Sequence, residues 1–239
     1  RQKSRTAMTL AAIVFGVIGL ILSGGFVEDI FIQLREATIK SRLGHLQVYE
    51  QGFFENGSKA PFDYLMTSYG ETQEAIEDLP EVTGTLRRLT FFGLLNNGHS
   101  DLPILGEGVE PKKEAEQLGS FFRIIEGRQL TDADPFGILV GEGAAATLNL
   151  DVGDYVSILA NTPRGALNSL EFEIVGIFRT FSKDFDARAV RVSLASAQEL
   201  VAVSGIHALV VSLSETEATD TVAAELERRF EIGRASCRE

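Results

Sequence analysis

From Ala7 to Val27 the chain carries no charged residue, and beyond it polar and apolar positions alternate or recur at helical spacing. At about 1.5 Å of rise per residue the run predicts a helix of roughly 30 Å, the thickness of a bilayer's hydrocarbon core. Past Val27 the pattern changes without stopping. In "EDIFIQLREATIKSRL" Ile30, Phe31, Leu34, Ala37 and Thr38 fall near i, i+3, i+4 spacing with charges between them. No Pro interrupts, and Gly44 stands where a residue able to take φ > 0 would end a helix. One helix is predicted from about Thr6 to Leu43, apolar at first and then an amphipathic stalk.

The remainder reads as mixed structure. "HLQVYE" alternates and predicts a strand. Ser68-x-x-Glu71 has the form of a capping box opening a helix that ends before Pro80, with Ala75, Ile76 and Leu79 inward. "GTLRRLTFFGLL" and "LPILGEGV" flank Asn97-Gly98, a hairpin signal. In the middle third the turns "DADPFG", "DVGD" and "TPRG" separate strand-like "GILVG", "DYVSILA" and "EFEIVGIFRT" and a short helix in "GEGAAATLNL". Ser196-x-x-Glu199 and Ser214-x-x-Glu217 suggest two more capped helices, after the strands "AVRVSL" and "HALVVSL". In the second, Val222, Leu226 and Phe230 repeat every four residues. The order predicts an α+β domain interrupted by a β-rich module.

Charge orients the first segment. Arg1, Lys3 and Arg5 precede the apolar run and Glu28 and Asp29 follow it, which places the N-terminus in the cytoplasm and the rest outside. A secretory signal has a shorter apolar stretch, about 7–15 residues; Ser23-Gly24-Gly25 offers a small-residue cleavage site, but the length favours an uncleaved span. The formal charge of −12 argues against nucleic acid or an anionic membrane surface as partners. The chain lacks an initiating Met, and its tail "EIGRASCRE" reads like a translated sequencing adapter. Residues 231–239 are therefore expected to be a non-native tail, and with them Cys237, the single cysteine. One cysteine allows neither an internal disulfide nor a cysteine metal site.

Candidate chemistry is sparse. No G-x-x-x-x-G-K-[ST] exists, and "GEGAAATL" lacks the Lys that would reach phosphates. His45, His99 and His207 show no H-x-x-x-H or H-E-x-x-H spacing. His99 beside Asp101 reads as a solvated turn pair, and His45 and His207 as structural residues within strands. Asp132 with Asp134, and Asp184 with Asp186, resemble partial calcium loops without the later acidic ligand, so they read as turn formers. Asp151 and Asp154 flank Gly153 in another turn, and no G-x-S-x-G elbow is present. No enzyme activity, metal or cofactor is expected.

At "GHLQVYEQGFF" the chain resembles the start of ABC-transporter permeases of the MacB/LolC/LolE/FtsX type. "GEGVEPKKE", "FFRIIEGRQLTDAD", "ILVGEGAAATLNLDVGDYVSI", "EFEIVGIFRT" and "VSLASAQEL" follow in the family's order. The resemblance implies a cytoplasmic stub and first transmembrane helix (1–27), a stalk (28–44), a porter-like βα part (45–110 and 190–230) and an inserted β-rich, sabre-like module (111–189). It marks Gly44, His45, Gln47 and Tyr49, then Gly108, Glu110 and Pro111, Gly127 and Arg128, and Gly153 and Asp154 as structural turns and docking points. It also implies further spans beyond this chain, in the inner membrane of a bacterium. The partners implied are a cytoplasmic ABC ATPase, a second permease copy or homologue, and a lipoprotein or periplasmic adaptor. In such proteins ATP-driven dimerisation of the ATPase is carried outward through the stalk helices. Relatives release lipoproteins, export small molecules or peptides, or regulate wall hydrolases. A single-span anchored binding or sensor module, with no transport role, is the alternative from another class.

Overall fold

The computed structural model describes residues 2–39, 43–57, 59–117, 122–230 and 233–236. Residues 40–42 of the expected stalk, and Cys237, lie outside them. The chain divides into two units, residues 1–38 and 39–239. The first is one helix, α1 (Gln2–Thr38), unbroken through Gly24 and Gly25 although each glycine costs a helix about 1 kcal/mol. Its apolar window has a mean hydropathy of 2.5 and buries none of its surface, so by length and composition the helix can cross a membrane.

The second unit follows in the order β1 (Leu46–Tyr49), α2 (Phe53–Asn56), a 3₁₀ turn (Pro61–Tyr64), α3 (Gly70–Glu77), β2 (Val82–Asn96), β3 (Asp101–Val109) and α4 (Pro111–Gln117). It continues with β4 (Arg123–Gly127), β5 (Gly137–Gly141), α5 (Glu142–Leu148), β6 (Tyr155–Asn161), β7 (Leu167–Arg179) and α6 (Lys183–Asp186). The last elements are β8 (Ala189–Ser193), α7 (Leu194–Val201), β9 (Ala208–Leu213), α8 (Thr219–Arg229) and β10 (Gly233–Ser236).

Six strands close on themselves. β2 pairs β3, β3 pairs β8, β8 pairs β5, β5 pairs β7, β7 pairs β6, and β6 returns to β2. Closure leaves no open edge within the ring. Alternate residues point inward and fill it: Leu89, Phe91, Leu95, Ile104, Ile138, Val140, Val156, Ile158, Phe172, Ile174, Val190 and Val192, with Ala197, Leu200 and Val201 of α7 packed against them. Burying each of the large side chains is worth about 1.5–3 kcal/mol. The close packing relies on missing side chains, since a Cβ at Gly106 would enter the Phe91 ring.

β2 also takes part in a second core. Its first half pairs antiparallel with β9, which pairs antiparallel with β1. On these strands Leu46, Val48, Leu209, Val211 and Leu213 meet Ile76 and Leu79 at α3 and Val222, Ala223 and Leu226 of α8. β10 pairs with the outer edge of β1. The segment 111–189 supplies β5, β6 and β7 to the ring, while β2, β3 and β8 come from its flanks. Hydrogen bonds therefore cross both positions 111 and 189, and the two cores meet along β2.

Three helix starts differ from the sequence reading. α3 opens at Gly70 behind Tyr69, without a side-chain cap, because the Met66–Ile206 bridge holds the chain extended just before Ser68. α7 opens three residues early: Ser193, the last residue of β8, accepts the Ser196 N–H at 3.1 Å and is the cap itself. α8 opens at Thr219 after a 3₁₀ turn, because the Ser214 N–H is tied to the Glu81 carbonyl and continues the strand geometry. The Asn97-Gly98 hairpin is present, with Asn96 opposite Asp101 and Gly98 at φ +87°.

Candidate functional site

The densest polar feature is buried. Arg88 on β2, Glu107 on β3, Glu114 on α4 and Arg191 on β8 are each less than 5% exposed. The strand pleat turns all three strand residues to the outside of the ring, and α4 lies over them. Arg191 Nε donates to Glu107 Oε2 at 2.9 Å and its Nη1 lies 3.5 Å from Glu114 Oε2; Arg88 Nη2 donates to Glu114 Oε1. The Arg191 guanidinium also stacks 4.2 Å from the centroid of Phe122. Two cations and two anions thus neutralise one another where isolated charges would be prohibitive. Burial opposes the charge on Arg88, but Glu114 and Glu107 outweigh it and raise its pKa.

Beside the cluster, Glu110 accepts from the Arg87 backbone N–H at 2.9 Å and from its Nη2 at 2.5 Å. Burial pushes the Glu110 carboxyl up, and the Arg87 bonds outweigh that and hold it below its ordinary value. Pro111 is the first residue of α4, where its missing N–H costs nothing. Gly108 lets α7 approach β3, since a Cβ there would overlap the Ala197 methyl.

The residues of "GHLQVY" meet at the start of the second unit. Gly44 takes φ +65° and donates its N–H to the Ile39 carbonyl at 2.9 Å. His45 Nδ1 accepts the Leu213 N–H at 3.0 Å, Gln47 donates to the Leu43 carbonyl at 2.9 Å, and Tyr49 donates to Gln47 Oε1 at 2.6 Å. His207 is buried by Phe53 and Phe62; its Nδ1 accepts the Thr90 N–H and its Nε2 faces the Pro61 carbonyl, both at 3.1 Å. That pairing requires the proton on Nε2. Desolvation pushes the His207 pKa down to about 4.

The remaining candidates lie apart. Gly127 takes φ +73° against the Val175 carbonyl, and Arg128 makes a two-pronged bond to Asp134 at 2.6 and 2.7 Å. The Arg128 bond, with those from Thr131, draws the Asp134 pKa well below the carboxylate range. Gly153 turns at φ +95°, and Asp154 closes that turn by accepting the Asp151 N–H at 2.8 Å. Asp186 is buried and accepts the Thr180 N–H and hydroxyl, while Asp132, Asp184, His99 and Asp101 are exposed. Among the described residues no group of three or more His, Cys, Asp or Glu is placed to hold a metal ion. Glu114 ties α4 to β2 and β8, Arg191 and Glu107 join two strands, and Arg128–Asp134 and Asp151–Asp154 close turns. Arg88, Glu107, Glu114 and Arg191 escaped the sequence reading, although Arg191, alone among apolar neighbours in "AVRVSL", was a visible signal.

The model of the MacB-like periplasmic core domain matches residues 6–229. Two solved structures share the fold. The periplasmic region of MacB from Actinobacillus actinomycetemcomitans superposes with a TM-score of 0.54 at 12% identity, covering 83% of this chain and 92% of that one. The extracellular domain of the noncanonic ABC-type transporter YknZ from Gram-positive bacteria gives 0.54 at 12%, covering 77% and 90%. Domains of this family are components of ABC-type transporter permeases, which is not an enzyme class.

Proposed function

Because the chain belongs to the family of MacB-like periplasmic core domains, we propose that it is part of a permease subunit that couples a cytoplasmic ATPase to extracytoplasmic lipoprotein release or substrate export. The carrying observation is the extent of the match: it begins at residue 6, within α1, so the apolar helix and the folded domain belong to one family unit. The charges at the helix ends support a cytoplasmic N-terminus and a periplasmic domain at the inner membrane. An unkinked helix through Gly24-Gly25 supports mechanical coupling, because a kink would absorb an axial push.

In this reading residues 45–110 and 190–230 form the porter-like part and residues 111–189 the inserted sabre-like part, whose β5, β6 and β7 complete a ring with β2, β3 and β8 of the porter-like part. A second permease copy or homologue completes the assembly, and a lipoprotein or periplasmic adaptor is the outer partner. The "GHLQVY", "GVEP", "EGR" and "VGD" residues act as structural turns and docking points.

The test is affinity purification of the natural full-length protein from its host membranes, followed by mass spectrometry. A nucleotide-binding ABC ATPase at near-stoichiometric yield, with turnover that depends on the permease, is the expected result. A protein isolated without any ATPase would overturn the transport reading in favour of a single-anchor sensor or binding module.

A further inference from the structure

Register places an uncovered apolar field on the outside of the ring. Leu94 on β2 stands opposite Pro103 on β3 and Leu159 on β6, while Phe92 stands opposite Leu105. Leu167, at the start of β7, stands opposite Asn161 on the same outer face as Leu159. Phe92 is 70% exposed and Leu167 is 66% exposed, whereas Phe91 and Leu95, at the alternate positions of β2, are buried inside the ring. Burial so complete on the inner face shows that the outward placement follows from register and not from loose packing. α4 and Phe122 cover the neighbouring part of this outer face, over Arg191 and Glu107, and stop short of Phe92.

One end of the field is acidic. The next rows along the same face hold Asp101 opposite Asn96, Glu171 opposite Ser157, and Glu173 opposite Tyr155. None of these three carboxylates makes an ion pair among the described residues. Of the basic residues near the field, Arg164 sits in the turn at the opposite end, and Arg128, bonded to Asp134, lies within electrostatic range of Glu173. Apolar area and a surplus of negative charge, three carboxylates without a direct ion pair among the described residues, lie side by side on one surface.

We propose that this face docks a cationic amphipathic segment of a partner protein, its apolar side chains on Phe92, Leu94 and Leu159 and its Lys or Arg residues against Asp101, Glu171 and Glu173. An exposed apolar patch marks an interaction surface, and the acidic rim selects the sign of the partner. A second copy of this chain is the poorer occupant, because it would set carboxylates against carboxylates across a two-fold contact. The proposal is independent of whether an ATPase drives the chain.

The full chain in phosphatidylcholine nanodiscs is titrated with a labelled 18-residue Leu/Lys amphipathic peptide and read by fluorescence anisotropy. Phe92→Ser/Leu94→Ser in identical nanodiscs supplies the lipid background. Both side chains face solvent, so the fold should persist, as circular dichroism would check; Leu167→Ser is an independent second variant. The expected result is binding at least tenfold weaker in the double variant and at least threefold weaker in Leu167→Ser. Asp101→Asn/Glu171→Gln/Glu173→Gln and 0.5 M salt should each weaken it at least threefold, and a Leu/Glu peptide should not compete. Equal binding by wild type and the double variant, or equal binding of the Leu/Glu peptide, overturns the proposal. So does a dimer in sedimentation that Phe92→Ser converts to monomer, which would assign the face to a second copy.

Discussion

Arg191 and Glu107 face each other across β8 and β3 with 2.9 Å between Nε and Oε2, each 1% exposed. A pair so deeply buried contributes less by its attraction than it costs when one member is lost. Arg191→Met should destabilise the domain by about 3–5 kcal/mol, because Glu107 and part of Glu114 would stay charged and dry. Arg191→Met combined with Glu107→Gln should lose less than Arg191→Met alone. Chemical denaturation of the full chain in detergent measures both, and a double variant worse than the single would refute the account.

Acid should weaken the fold first through His207. Its neutral form is the one the fold accepts, with a folded pKa of about 4 against an ordinary value of 6.5. The unfolded chain takes up the proton first as pH falls. The stabilisation is therefore complete above about pH 6.5, declines below it, and is gone near pH 4. Such a shift corresponds to about 3 kcal/mol. His207→Gln, which keeps one donor and one acceptor, should flatten the stability profile between pH 6.5 and 4. An unchanged slope in that variant would assign the acid sensitivity elsewhere. The depressed carboxyl of Asp134 would contribute only at lower pH.

Gly108 tests how tightly α7 lies on the ring. Gly108→Ala places a methyl into the Ala197 side chain and should cost about 1–3 kcal/mol. Adding Ala197→Gly should restore part of the loss after its own helix penalty of about 1 kcal/mol is allowed for. Thermal melting of the single and double variants reads the coupling, and strict additivity would show that the two residues do not touch.

A charge at the middle of α1 should block membrane insertion. Ile18→Arg introduces a penalty of about 2.5–3.5 kcal/mol at the helix centre, and removes an Ile worth about 0.3–0.6 kcal/mol, against a gain of about 3–7 kcal/mol for the whole run. Alkaline extraction of membranes should then release the variant but not the parent chain. Retention of both would mean that α1 is not what anchors the protein.

Local pattern was enough for the elements whose signals are short-range. The apolar run, the alternation in "HLQVYE", the Asn97-Gly98 turn and the four-residue repeat of Val222 and Leu226 each depend on neighbours a few residues away. The ordered motifs also carried the family. Helix starts shifted because long-range bonds decided them: the Met66–Ile206 bridge and the Ser214–Glu81 bond keep extended a chain that a capping box would have coiled. Closure of the ring was invisible, since β6 meets β2 across about sixty residues of chain and no local signal specifies that pairing. The same holds for Arg88, Glu107, Glu114 and Arg191, and for Phe92 and Leu94 on the outer face. A charge is buried, or an aromatic exposed, by the register of strands far apart in sequence. Only the assembled sheet decides which side of it each residue faces.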